Sequence, residues 1–473
     1  MKVPDPRPIN MYGFAAGHDL LTARRGRLAM FYAHTRDRGP VAALRKRRAG
    51  VVAISLLAAA ALALTGCTGG GTGAGPGEVN SIDAGLAGSI DDAVANAMQL
   101  SGSSTAIVGV WTSSGEYVQA YGEGINANSQ IRAAQASQPV MCALLLSLVE
   151  QGELKLDRKI SKDLPRQVGI EGMTYGQLCD ATSGLADFKS ATLTDIFANN
   201  PTRPWSDREL LAQSLAHSPV NEPGAGQQVS DTGSLMLARA LRQLTGTQVS
   251  QLLEDHVFAP AGMGSSRFPG DPATQTTLPD GSMTGLTYPS SGGAPVCSVP
   301  GEAEGETVAL EPVAVPEVSP SMLGGAGATV TTVTDLKNFY ERYVGGEFGK
   351  GSAERVTSLS APPPAPPAEG EEAPAPPVDG WTFGLEKQGP LYGMSGSMTG
   401  TITAAYHDPA GKFSVVVTLN NSSAGSAFAR ALAFQLAALA GEGVEWTAED
   451  QGAALAERAV CQPAAPAEEA PAG

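Results

Sequence analysis

The residue types that most often do chemistry are few in this chain and widely separated. Its five histidines are His18, His34, His217, His256 and His407; its five cysteines are Cys67, Cys142, Cys179, Cys297 and Cys461. A protein-bound metal needs donors at short, regular spacings. No two of these cysteines have ligand spacing and no histidine neighbours them, so neither a metal nor another cofactor is expected. With Cys67 set apart as the end of a leader, four cysteines remain, an even number that suits disulfides in an oxidising compartment. Four cysteines permit three pairings, and their spacing alone does not choose among them.

The leader is unlike the body behind it. Residues 1–66 hold 11 Lys and Arg against 3 Asp and Glu, so of a formal net charge of −16 for the chain the remaining 407 residues carry −24. So acidic a body is not built to neutralise phosphates, which excludes nucleic acid as a general partner. At 42% hydrophobic and 16% charged it still has a globular composition. Arg45-Lys46-Arg47-Arg48 precedes an uncharged apolar run, Ala49 to Leu64, which reads as a secretory signal and is shorter than the roughly 20 residues that span a bilayer. Leu64-Thr65-Gly66-Cys67 then resembles the bacterial lipobox, whose cysteine receives a lipid and becomes the mature N-terminus. The expectation is a signal peptide over 1–66, a lipid on Cys67, and a chain anchored on the extracytoplasmic face of a bacterial cell membrane. Residues 1–44 are too long and irregular for a basic n-region, which points to a translation start at Met11 or Met30.

The elements behind the leader follow from periodicity. Residues 67–81 are a Gly-rich tether. Ile82 to Leu100 has Leu86, Ile90, Val94 and Met98 on one helical stripe. Ala106–Trp111 and Glu116–Tyr121 are β-like runs around Ser113-Ser114-Gly115, a hairpin signal. The middle, about 132–260, is helical in pattern, clearest in Val140–Gln151 before Gly152 and Ser234–Leu244 before Gly246. Strands return at Ile402–Tyr406 and Phe413–Leu419, around Asp408-Pro409-Ala410-Gly411, and Ala427–Ala440 is a last helix. This predicts an α+β fold: an antiparallel sheet built from both termini, flanking helices and an inserted all-helical lobe. The domain is expected over 82–445, with a Pro-rich insertion at 361–378 and an acidic Pro/Ala-rich tail at 446–473.

Six stretches in order resemble the serine β-lactamase and penicillin-binding protein superfamily, nearest its class C and D-alanyl-D-alanine peptidase-like branch. They are Ile131–Pro165, Thr174–Leu185, Glu222–Gly246, Val257–Phe268, Gly325–Phe339 and Gly393–Asn420. The resemblance implies the β-lactamase/transpeptidase-like fold and a serine hydrolase built on three motifs. The first, S-x-x-K, sets a serine and its base one helical turn apart. Here those positions hold Gln135 and Gln138, and a carboxamide is neither a nucleophile nor a proton acceptor at neutral pH. The second, Y-x-N, reads Val229-Ser230-Asp231; the third, H/K-x-G, reads Met394-Ser395-Gly396. The family's histidine before Thr182-Ser183-Gly184 is Ala181, and the next lysine along the chain from Gln138 is Lys155.

Losing the nucleophile and base of a serine hydrolase costs on the order of 10⁶ in rate. No catalytic residue is therefore expected among Gln135, Gln138, Val229, Asp231 and Met394. The backbone amides at Gln135 and Ser397 are expected to keep an oxyanion-type pocket. The expected ligand pocket is Gln135, Gln138, Ser230, Asp231, Ser395, Gly396 and Ser397, suited to a peptidoglycan-like or small acyl or peptide ligand. Asp231 makes it acidic. The leading reading is thus a lipid-anchored binding or scaffold protein without turnover; the alternative is an active serine hydrolase with a relocated nucleophile such as Ser137. Ser137 is one residue from Gln138 and so faces away from Gln135 on a helix; Ser183 suits a capping hydroxyl. A third reading is a structural domain whose pocket Met394 and the glutamine pair close. Family geometry implies a Cys142–Cys179 disulfide, which leaves Cys297–Cys461 by remainder.

Overall fold

Alternation of apolar residues on both faces of a strand requires cover on both sides, and the sheet here has it. The computed structural model describes residues 75–270, 274–303, 305–360 and 377–461. Eight strands form its main sheet: β1 (Val79–Asn80), β2 (Ala106–Thr112), β3 (Gly115–Tyr121), β4 (Gly380–Trp381), β5 (Glu386–Gln388), β6 (Leu391–Met398), β7 (Thr401–Asp408) and β8 (Phe413–Leu419). They lie in the order β1-β3-β2-β8-β7-β6-β5-β4, every pairing antiparallel. The sheet is thus assembled from the two ends of the chain, and the hairpins expected at residues 113–115 and 408–411 join β2 to β3 and β7 to β8.

One face carries Val108, Val110, Ile402, Ala404, Val415 and Val417. It packs under α1 (Ala84–Ser101) and the late helix Ser426–Leu439. The opposite face carries Ile107, Trp111, Ala405 and Val416 and meets the helical lobe. The lobe's main helices are α2 (Pro139–Glu150), α3 (Asp207–Leu215) and α4 (Asp231–Thr245), and α5 (Val333–Val344) lies between it and the sheet. Each helix starts or stops where the sequence provides for it. Asp83 accepts from the backbone N–H of Gly85 at 2.8 Å and caps α1. Pro139 opens α2, where its missing N–H costs nothing, and Gly246 at φ 72° closes α4.

The chain stays folded beyond residue 445, which corrects the expected tail. Late helix Ser426–Leu439 is α6, and it is followed by α7 (Ala448–Ala456), started by a Thr447–Asp450 capping box. Trp446 stacks on Phe434 with ring centroids 4.7 Å apart, and Leu455 and Val460 are buried. The Ala- and Glu-rich composition looked like tail, but a few apolar residues suffice to dock a short helix. Cys461 then bonds to Cys297, and Cys142 bonds to Cys179, the two pairings expected. The tether is also shorter than 67–81, because Val79 and Asn80 pair with Val118 and Tyr117 as an edge strand. Cys67, the leader, most of the Pro-rich insertion and residues 462–473 lie outside the described residues. Among the described residues no helix is long and apolar enough to cross a membrane.

Candidate functional site

Three elements converge beneath the sheet edge. A tight turn, Ala134–Ser137, leads into α2 and carries Gln135, with Gln138 at the junction. The N-terminus of α4 carries Asp231, whose charge suits the positive end of a helix. Strand β6 runs alongside, with Gly396 opposite Thr403 and Ser397 opposite Ile402 on β7. A Cβ at residue 396 would stand 2.2 Å from the backbone nitrogen of Gln135, so only glycine lets β6 approach the turn this closely.

At the junction Asp231 is the hub. The Nε2 of Gln135 donates to one carboxylate oxygen at 2.6 Å, and Nε2 of Gln138 donates to the other at 3.3 Å. The Lys189 ammonium lies 2.8 Å from the oxygen that Gln135 bonds. The backbone N–H of Asp231 donates to Asp187 at 3.0 Å, and that of Lys189 donates to Asp187 at 2.8 Å. Gln135 completes the arrangement from its other end: its Oε1 accepts from the backbone N–H of Ser397 at 2.9 Å. Gln135, Gln138 and Asp231 are each at most 5% exposed, so this is a buried polar network whose members satisfy one another.

The electrostatics follow from burial and three close charges. Burial alone would lower the pKa of Lys189, but the Asp231 and Asp187 carboxylates outweigh it and the net shift is upward. Burial and the Asp231 charge push the Asp187 carboxyl up. Asp231 therefore does not make the site simply acidic, as the sequence suggested, because a lysine sits on it. Lys189 is the residue that sequence reasoning missed: the search ran forward from Gln138 to Lys155, whereas folding brings in a lysine from the loop after Thr182-Ser183-Gly184-Leu185. The Asp187-Phe188-Lys189 string directly behind that matched segment was the available signal.

The residues expected to share one pocket are divided. Gln135, Gln138 and Asp231 meet in the closed centre. The expected oxyanion pocket is altered, because the Ser397 amide already holds the carbonyl of Gln135. Val229, exposed, and Met394, buried, line a cleft of about 560 Å³ with Trp381 and Ser395. Ser397 and Lys189 border a second cavity of about 300 Å³ that shares no lining residue with the first. Ser230 caps α4, accepting from Thr232 N–H at 3.2 Å and donating to the Ala186 carbonyl at 3.1 Å.

The arrangement can hold hydrogen bonds and charge, and the hydroxyls of Ser137, Ser183 and Ser230 are engaged elsewhere. Ser137 is 1% exposed and donates to the Ala134 carbonyl at 2.8 Å. Ser183 is buried and accepts from the Leu185 N–H at 3.4 Å, a turn role. Among the described residues no hydroxyl or thiol bonds to Asp231 or Lys189, so no nucleophile–base pair is assembled there. Nor do three His, Cys, Asp or Glu side chains gather there, or elsewhere among the described residues, as metal ligands would.

The chain is similar in sequence and in fold to known proteins. The chain is 27% identical to penicillin-binding protein 4* of Bacillus subtilis over 30% of its own length and 31% of that protein. It is 27% identical to the D-alanyl-D-alanine-carboxypeptidase/endopeptidase AmpH of Escherichia coli over 31% of its own length and 38% of that protein. These alignments span under half of either relative. A D-stereospecific amidohydrolase from Streptomyces superposes with a TM-score of 0.57 at 20% identity, over 74% of this chain and 98% of that one, which shows a common fold. The beta-lactamase family model matches residues 90–440, most of the chain, and the protein therefore belongs to the beta-lactamase family.

Proposed function

We propose that this chain is a non-catalytic member of its family, a binding or scaffold protein held at the outer face of the cell membrane by a lipid on Cys67. One observation carries this reading. Gln135 and Gln138, which the resemblance sets at the family's nucleophile and base positions, are both bonded to Asp231, and Gln135 also occupies the Ser397 amide. A substrate carbonyl would have to displace the protein's own carboxamide before any chemistry began, and no activated hydroxyl would meet it. Such a loss of nucleophile and base is worth on the order of 10⁶ in rate.

Binding is assigned to the cleft beside the closed centre, between Val229, Trp381, Met394 and Ser395. Its walls combine an indole, a thioether and a valine with a polar and charged side made by Gln227, Asp379, Glu386, Lys387, Gln388 and Ser395. The names of the relatives make a peptide ending in D-alanyl-D-alanine the first ligand to test. The full chain is incubated with such a peptide, and binding and release of free D-alanine are followed together. The reading expects reversible binding with the peptide recovered intact; stoichiometric or catalytic release of D-alanine overturns it. Mass spectrometry of the membrane-extracted protein is expected to find the lipid on Cys67, and an unmodified cysteine there would remove the anchor from the reading.

A further inference from the structure

The acidic body contains one concentration of arginines, along the seam between α3 and the second half of α4. Arg208 on α3 and Arg239 and Arg242 on α4 line a cavity of about 480 Å³, together with Trp205, Gln243 and Ser250. A neighbouring cavity of about 620 Å³ shares Arg208, Arg239 and Gln243 with it and adds Arg166. The charge is poorly compensated. Asp207 reaches only Arg242, at 3.4 Å, and Arg208, Arg239 and Arg166 make no ion pair among the described residues. Asp163, at the rim, is committed to Arg158 at 2.6 Å. Two donors at the seam are buried and without an acceptor among the described residues: Nε of Arg239 and Nε1 of Trp205, a residue 6% exposed. Buried donors are nearly always satisfied, so two unmade bonds beside one cavity mark a place for acceptors from outside. Burial and the neighbouring Arg208 and Arg242 charges depress the pKa of Arg239 against the pull of Asp207.

We propose that this seam is a binding site for a dianionic oxyacid group, of which a phosphomonoester is the type. The planar fork of arginine matches phosphate oxygens in pairs, and Arg208 and Arg239 supply two uncompensated charges against the −1.5 to −2 that a phosphomonoester carries at neutral pH. The site is distinct from the closed centre. Asp231 and Arg239 are eight residues apart on α4, about 12 Å along its axis. The same headgroup chemistry is offered by soluble phosphomonoesters and by phosphatidic acid, and one experiment separates them.

The full chain is titrated calorimetrically with inorganic phosphate and glycerol 1-phosphate. In parallel it is sedimented with phosphatidylcholine vesicles with and without phosphatidic acid. Arg208→Gln, Arg239→Met and, as a surface control far along the sequence, Arg458→Gln are compared. Arg208 is exposed, so its replacement tests the site even if Arg239→Met disturbs packing. Binding of a soluble phosphate that weakens about tenfold in each seam variant and not in the control supports the site with a free ligand. Binding confined to phosphatidic acid vesicles and lost in the same two variants supports it with a lipid headgroup. Absence of binding in both arms, or binding that both seam variants leave unchanged, overturns it.

Discussion

At the N-terminal end of α4 the Asp231 carboxylate is enclosed by Gln135, Gln138 and Lys189, and all three direct an N–H at it. Eight residues later on the same helix, Arg239 faces two like charges and leaves a buried N–H unpaired. By the resemblance of the flanking blocks, the first region corresponds to the family's catalytic motifs; the second holds none of those motifs. On the reading proposed above, the difference shows how a catalytic centre would be retired without unfolding. Replacing a serine and a lysine by smaller or apolar groups would strand a buried carboxylate, whereas two carboxamides and an imported lysine satisfy it. A site that has closed on itself is held by its own bonds, and a site with donors left over awaits something else.

That contrast predicts unequal costs of mutation. The largest is expected for Asp231→Ala, which strands two buried carboxamide donors and an ammonium. Removal of one partner from a buried charged network costs about 3 kcal/mol or somewhat more, with Lys189 contributing the smaller share because its side chain is 37% exposed. Denaturant unfolding measures this, and a cost under about 0.5 kcal/mol would break the comparison.

A smaller effect concerns pH. The folded-state pKa of Lys189 is raised above its ordinary 10.5, so its stabilising contribution is complete below that value and is lost as pH rises through the folded pKa. Lys189→Met is expected to flatten the alkaline limb of the stability profile; it alters the acid limb as well, because the ammonium that opposes the rise of the Asp187 pKa is lost. Buried tyrosines such as Tyr340 and Tyr343, whose pKa values burial also raises, contribute to the same limb in both proteins, so the difference between the two curves is the reading. The smallest effect is expected at the arginine seam. Arg239→Met removes a guanidinium repelled by its neighbours and is expected to change stability by less than about 0.5 kcal/mol, or to raise it. A large loss there would mean that the two ends of α4 are alike.

Much of this was legible from residues alone. Strands β2, β3, β7 and β8 and helices α1, α2, α4 and α6 are readable from period-2 and period-3.6 patterns, whereas β1, β4, β5 and β6 are not, and the blocks on either side single out Gln135, Gln138 and Asp231. Other features were not visible, each for a physical reason. Lys189 reaches Asp231 only through the fold of a loop, which no spacing along a helix reveals. The closing of the oxyanion-type pocket depends on which way one carboxamide points. α7 hides in a composition of Ala and Glu, where Trp446 and Leu455 alone show the buried side. The arginine seam joins residues from 163 to 325, so a net charge summed along the chain averages it away.

The central claim, that the centre binds itself and not a substrate, is tested most directly by covalent capture. The purified chain is incubated with a fluorescent penicillin and separately with a fluorophosphonate, and its intact mass is followed over hours. The account predicts that the mass stays that of the unmodified protein with both probes. A stoichiometric adduct on any serine of the site, whether Ser137, Ser183, Ser230 or Ser395, would contradict it.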